Sequence, residues 1–234
     1  MISDLSEYIF NSNSSVSSVF NVLSPEQQSI LEQSCLERKI KKGQLIFKEG
    51  EKPIGLIYLY EGSAKVFIKG YSNREQIVRL VKPHMFVGYK ALFAEKNHTT
   101  SAEAIENCVI RIYPKKTLFS LIDENSRFSK EIIKSLAIEL GFNFNRIISL
   151  TQKHIRGRLA ETLLLVKDIY GFEEDGITLR AKFTRENIAH FSNMTTSNAI
   201  RTMKKFTDEK LISTTGRKIT LLKVKELEKI SKTG

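Results

Sequence analysis

Between residues 36 and 114 the apolar positions come in short, β-branched runs, at 45–47, 56–60, 64–68, 77–81, 86–87 and 108–112. Gly43, Gly50, Gly55, Gly62, Gly70 and Gly88 fall in or beside the connections, where a residue without Cβ reverses the chain at little cost. Short strands at near-regular spacing with such turns predict a sandwich or jelly roll. From Ser126 the period changes from two to three and four. Ile133, Leu136, Leu140, Asn143, Ile147, Leu150 and His154 recur as the seam of a two-stranded coiled coil with polar residues at two positions. A long helix that pairs with a second copy is expected, against the alternative of a helix buried within one subunit. A second stripe, Phe128, Ile132, Ile138 and Phe142, can pack on the roll, and Gly141 in mid-helix costs about 1 kcal/mol against Ala. Residues 157–171 form another amphipathic helix (Leu159, Leu163, Val166, Ile169, Tyr170) ended by Gly171. An acidic turn at residues 173–175 and a strand at 177–183 follow. Near the start, Ser24 caps a helix with Pro25 at its first position and Ile30 and Leu31 inward, after a Ser/Asn-rich stretch at 1–21 that packs loosely or forms a short helix.

The pattern from Thr184 to Phe206 is a helix, a tight turn and a second helix. Thr184 can N-cap the first, Glu186 sits where the dipole favours an anion, and Ile188, Ala189 and Phe191 face inward. Asn193 supplies the residue tolerant of positive φ that such a turn needs. Thr195 can cap the second helix, whose Ala199, Met203 and Phe206 share one face. The other face holds Thr196, Ser197, Ile200, Arg201 and Lys204: groups for base edges, an Arg able to grip guanine twice, and a Lys for phosphate. A strand, a Gly-containing turn and a strand follow at residues 211–222, so Arg217 and Lys218 would lie on a basic wing near flanking phosphates.

Charge sharpens this reading. The formal net charge is +11, and from Gln152 onward seventeen Lys/Arg stand against ten Asp/Glu, which puts +7 of the surplus in that last part. A polyanionic partner is implied. The 234 residues allow one large or two ordinary domains, and 41% hydrophobic residues suffice for real cores. No apolar run is long enough to span a bilayer, and the first Lys or Arg is Arg38, so the start lacks the basic region of a secretory signal. With only Cys35 and Cys108, a reducing cytoplasm fits better than a disulfide framework. A soluble cytoplasmic protein without membrane attachment is expected.

With roll, long helix and winged helix-turn-helix in that order, the chain resembles the Crp/Fnr family of bacterial transcription regulators over nearly its full length. The matching stretches are residues 42–51, 61–66, Phe86-Val87-Gly88, 157–164 and 184–206. The resemblance implies an α+β fold with a cyclic-nucleotide-binding-like β jelly roll at 1–125 that senses an effector, a dimerisation helix at 126–154 and a winged helix-turn-helix at 155–234. It implies a homodimer on a near-palindromic double-stranded DNA operator, with the recognition helix at about 196–208 in the major groove and an effector in the roll shifting it. Base readout falls to Thr196, Ser197, Ile200 and Arg201, and phosphate contact to Thr184, Arg185, Asn198, Lys204 and Arg217. Family members commonly carry an Arg, a Glu and a second Arg on that helix. Here those positions hold Thr196, Ser197 and Arg201, so only the last matches, and the target sequence is open. Activation would need a surface for RNA polymerase, for which the acidic turn at 173–175 is the candidate.

The effector positions depart further. Cyclic-nucleotide binders of the family place a Glu after the glycine of Phe-x-Gly and an Arg some residues later. This chain has Tyr89 after Gly88, and His98-Thr99-Thr100-Ser101 contains no Arg. Asn143 and Phe144 stand where a Thr-Ser pair would meet the base. A buried phosphate would lack a counter-charge, so cyclic AMP is not expected to bind in the usual way. Two cysteines cannot hold an iron–sulfur cluster. A haem sensor with His84, His98 or His154 as axial ligand stays an alternative, as does an adaptor whose winged helix contacts protein. A metal enzyme on a cupin-like roll wants clustered His ligands, and no His-x-His pair is present. No catalytic or metal-ligating residue is therefore assigned, and the effector is left unidentified.

Overall fold

A computed structural model describes residues 19–70, 73–181 and 183–233. The expected loose or helical stretch at 1–21 lies outside them up to residue 18. The described chain divides into two compact units, and the division falls inside the long helix, between Gly141 and Phe142. The sequence predicts boundaries at 125/126 and between Lys153 and Gly157. The physical reason for the difference is that the two halves of the helix are buried against different partners.

The first unit is the roll. Helix α1 (Pro25–Ser34) opens with a reciprocal capping box between Ser24 and Gln27. Strands β1 (Leu36–Ile40), β2 (Leu45–Phe47), β3 (Gly55–Glu61), β4 (Ala64–Lys69), β5 (Glu75–Val81) and β6 (Met85–Val87) precede a short helix α2 (Tyr89–Phe93). Strands β7 (Ser101–Ala104) and β8 (Cys108–Pro114), helix α3 (Lys115–Glu124) and the long helix α4 (Ser126–Gln152) follow. The strands make two four-stranded sheets, ordered β1-β8-β3-β6 and β2-β7-β4-β5. Alternation along β3 and β8 explains why both faces of the first sheet are apolar. Ile57, Leu59, Ile110 and Ile112 point into the core between the sheets. Leu56 and Tyr113, paired in register, face Leu31, Leu92, Leu118 and Phe128 on the helical side. Gly62 holds φ +88 in the β3–β4 turn, and a Cβ there would meet the Asn107 carbonyl and lie 2.7 Å from Cys108 Sγ, so only glycine fits.

The first half of α4 belongs to this core through Phe128, Ile132 and Leu136. Phe128 and Ile132 are the start of the expected second stripe, but Leu136 joins them where Ile138 was expected. That shifts the exposed stripe. Ile133, Leu140, Phe144 and Ile147 are 65%, 54%, 58% and 57% exposed. Ala137 and Thr151 are exposed between and beyond them. The expected seam residues Leu136, Asn143 and Leu150 are only partly exposed, one position short of the stripe. The spacing is still alternately four and three, in a different phase.

The second unit continues with α5 (Ile155–Tyr170), α6 (Arg185–Phe191), α7 (Thr196–Asp208), the hairpin β9 (Ile212–Thr215) and β10 (Lys218–Leu221), and α8 (Val224–Thr233), which packs on α5. Helix α5 starts two residues before the expected Gly157, behind His154 as N-cap, and ends at Gly171. Among the described residues of the strand expected at 177–183, which leave out position 182, Thr178 and Leu179 form single bridges, to Thr220 and Phe172, in place of a continuous ladder. Backbone hydrogen bonds tie Leu179 to Ile219 and Ile177 to Leu221.

Candidate nucleic-acid interface

The interface is assembled by two caps and one left-handed residue. Thr184 accepts from the Asn187 amide at 3.0 Å and starts α6. Asn193 turns the chain with φ 51°, and Thr195 accepts from the Asn198 amide at 3.2 Å to start α7. Ala199, Met203 and Phe206 are then buried at 0%, 3% and 0% exposure, with Thr202 beside them. One helix with a dry face of that spacing must turn Ser197, Ile200, Arg201 and Lys204 outward together, and all four are exposed. Ile200, at 51% exposure, is a large apolar side chain in water on the same face as Arg201 and Lys204. Thr196 and Asn198 are partly exposed at the start of the same helix.

The far end of α7 is pinned as well. Arg156 at the start of α5 gives two hydrogen bonds of 2.7 Å to the Glu209 carboxylate just past α7. Its guanidinium lies 5.0 Å from the Phe206 ring centroid. That hydrogen bonding holds the Glu209 carboxyl below the usual range. Sequence spacing alone did not single out this pair.

The hairpin has the expected wing geometry, with Gly216 and Arg217 at its tip and Lys218 opening β10. Arg217 and Lys218 are exposed. Arg185 is only partly exposed, and its Nη2 donates to the Gly216 carbonyl at 3.1 Å. Part of its donor set therefore ties the wing to the start of α6, and burial lowers its pKa.

The residues expected to line an effector pocket differ in exposure and in the partners each one has within its own unit. Gly88 has φ +73, and a Cβ on it would lie 2.8 Å from His98 and 3.0 Å from Phe47. His98 is itself buried, stacked on Phe47 with ring centroids 3.9 Å apart, so it fills core space. Burial lowers its pKa, with Glu51 opposing. Thr99 beside it is exposed. Tyr89 is buried, and its hydroxyl accepts from Arg79 at 3.0 Å. Arg79 and Lys90 in turn hold Glu139 of α4 at 3.5 and 3.1 Å. Phe144 points outward on the exposed stripe of α4 and Asn143 is partly buried, because the 3.6-residue period places position 144 with 140 and 147.

Of the haem candidates, His84 is exposed and bonded through Nδ1 to the Tyr58 hydroxyl at 2.8 Å, His98 is buried, and His154 caps α5 in solvent. Among the described residues no group of three or more His, Cys, Asp and Glu is placed to hold a metal ion. Cys108 donates its S–H to the carbonyls of Ser63 and Glu106, and burial pushes the thiol up to about 11. Among the described residues no helix is long and apolar enough to cross a membrane.

Comparison with known proteins gives two family models in succession. Residues 37–125 match the cyclic nucleotide-binding domain and residues 157–230 the Crp-like helix-turn-helix domain. The chain is 25% identical over 201 residues to the fumarate and nitrate reduction regulatory protein of Vibrio cholerae, covering 84% of this chain and 79% of that protein. It is also 25% identical over 190 residues to the cAMP-activated global transcriptional regulator CRP of Salmonella typhimurium, covering 79% and 89%. The fold is shared with FixK2 of Bradyrhizobium japonicum at a TM-score of 0.75 and 19% identity, over 84% of this chain and 96% of that one. A roll of the first kind joined by a long helix to a reader of the second kind, with relatives of the same order along most of the chain, places this protein in the Crp/Fnr family of transcription regulators.

Proposed function

We propose that this regulator binds a near-palindromic operator as a homodimer paired along the exposed stripe of α4, with α7 in the major groove. Arg201 reads a guanine, Ile200 meets a thymine methyl, and Thr196 and Ser197 contact neighbouring base edges. Thr184, Asn198, Lys204 and Arg217 take phosphates, and Arg185 adds a phosphate contact while bracing the wing. The observation that carries this reading is the row Ser197, Ile200, Arg201, Lys204, exposed on a helix whose opposite face is fully buried. Water alone gives no reason to expose Ile200 there.

The effector is a molecule other than cyclic AMP bound in the usual way. In support, the position after Gly88 is a buried Tyr89 whose hydroxyl is engaged by Arg79, and both nearby cations answer Glu139. Binding to duplex DNA at two salt concentrations tests the reading. Affinity should fall steeply with salt, and one operator should be preferred over random duplex. Salt-independent binding, or equal binding to every duplex, would remove the groove-reading role from α7.

A further inference from the structure

The second half of α4 buries a charge. Arg146 has only 5% of its side chain exposed, at a position where an apolar residue would be the ordinary choice. Its guanidinium lies 3.3 Å from the Glu161 carboxylate on α5. It also donates to the backbone carbonyl of Phe191, the last residue of α6, and sits 4.4 Å from the Phe191 ring centroid. Glu161, 6% exposed, also accepts from the Ser149 hydroxyl and from the Lys153 ammonium, the latter at 2.8 Å. One carboxylate thus answers two cations, while Nε of Arg146 has no partner.

Such an arrangement is a poor way to gain stability, because desolvating the charges costs about as much as their attraction returns and a packed apolar pair does as well. Geometry is what it supplies. The Phe191 carbonyl belongs to the last turn of α6, where no helical N–H reaches it, and the chain turns into α7 within the next two residues. A planar guanidinium bonded in one direction to Glu161 and in another to Phe191 fixes α4, α5 and α6 at one mutual angle. Apolar contacts alone would allow them to slide.

We infer that Arg146, backed by Glu161, is a positioning residue for the DNA reader, setting the angle at which the helix-turn-helix leaves the end of α4. The inference rests on the DNA-binding reading above. In a paired molecule this angle sets the separation of the two recognition helices, so it governs operator binding more than random binding. Burial lowers the Arg146 pKa to about 10 despite the attraction of Glu161, so the guanidinium stays charged at neutral pH.

The test pairs Arg146→Met with Glu161→Met, which removes both buried charges and keeps apolar volume, and leaves Lys153 to turn to solvent. The probes are the duplex that the wild-type protein enriches from a randomised pool and a random duplex. The double variant should unfold within about 3 °C of wild type. It should bind the enriched duplex at least about tenfold more weakly while random-duplex affinity changes less than about twofold. Amide exchange over residues 188–196 should quicken at least about tenfold, with β3 and β8 unchanged. A stable double variant with wild-type operator affinity and wild-type exchange overturns the inference. So does a parallel fall of both affinities and of the unfolding temperature, which marks a merely structural role. A wild-type protein that enriches no sequence counts against the DNA reading, and the exchange measurement then still decides the positioning role.

Discussion

Leu140→Glu addresses the pairing of two chains. The stripe it interrupts consists of Ile133, Leu140, Phe144 and Ile147, each more than half exposed in the single chain. Full burial of such a side chain yields about 1.5–3 kcal/mol, so covering the exposed half gives roughly 1 kcal/mol each, or about 8 kcal/mol for the eight side chains of a two-fold pair. Association costs about 4–15 kcal/mol in lost freedom, so this stripe by itself leaves the dimer near balance and one central lesion decides it. The substitution removes about 1 kcal/mol per protomer and brings two carboxylates to the seam, each short of several kcal/mol of hydration. The dimer dissociation constant should rise at least about 100-fold. The fold of each chain should be spared, since a side chain already in water contributes little to its own core. Sedimentation equilibrium reads the first effect and thermal unfolding of the diluted variant the second, and operator affinity should fall with dimerisation. A Leu140→Glu protein that sediments as a dimer like the wild type would show that this stripe is not the pairing surface.

Thr195→Ala removes the cap on α7 and should cost about 1 kcal/mol of stability, read by chemical denaturation, with operator affinity reduced alongside. His98 is buried with its pKa lowered from 6.5 by desolvation, with Glu51 opposing. The unfolded chain therefore takes up the proton first on acidification. The stability contributed by neutral His98 is full above about pH 6.5 and is lost as pH falls below that value. His98→Phe should flatten this limb of the stability–pH curve, and an unchanged limb would count against it. Cys108, with its thiol near 11, is about one part in a thousand thiolate at pH 8. It should resist iodoacetamide in the folded protein and react promptly in denaturant, as mass spectrometry of the peptide will show.

The reader was legible in the sequence because its determinants are local. Thr184, Asn193 and Thr195 each act within three residues of themselves, and the 199–203–206 spacing needs only one helix. The roll was legible through its β-branched runs, but two strands were not. Strand β1 carries Glu37, Arg38 and Lys39, all exposed at a sheet edge, so its pattern reads as a charged loop. Strand β7, Ser101–Ala104, has small residues that fit between β2 and β4 without an apolar run. The exposed stripe of α4 differs by one residue at alternate positions from the seam the sequence predicts, since Leu136 and Ala137 fit the period equally and only the roll core decides which is covered. The burial of Arg146 had no local sign at all. Its partners Glu161 and Phe191 lie 15 and 45 residues away, and an Arg on a helix reads as a solvated face. The effector positions follow only from likeness to other rolls, and the stacking of His98 on Phe47, 51 residues apart in the chain, has no local sign.

Sequence enrichment from a randomised duplex pool, run in parallel with wild type, Arg201→Ala and Lys204→Ala, asks whether α7 reads the bases. Wild type should enrich two symmetric half-sites about one helical turn apart. Arg201→Ala should lose preference at one position in each half-site, at a cost of about 1–3 kcal/mol, whereas Lys204→Ala should keep the preference, weaken every duplex alike and flatten the salt slope by about one. Identical enriched sequences from wild type and Arg201→Ala would contradict the assignment of α7 as the helix that reads the bases.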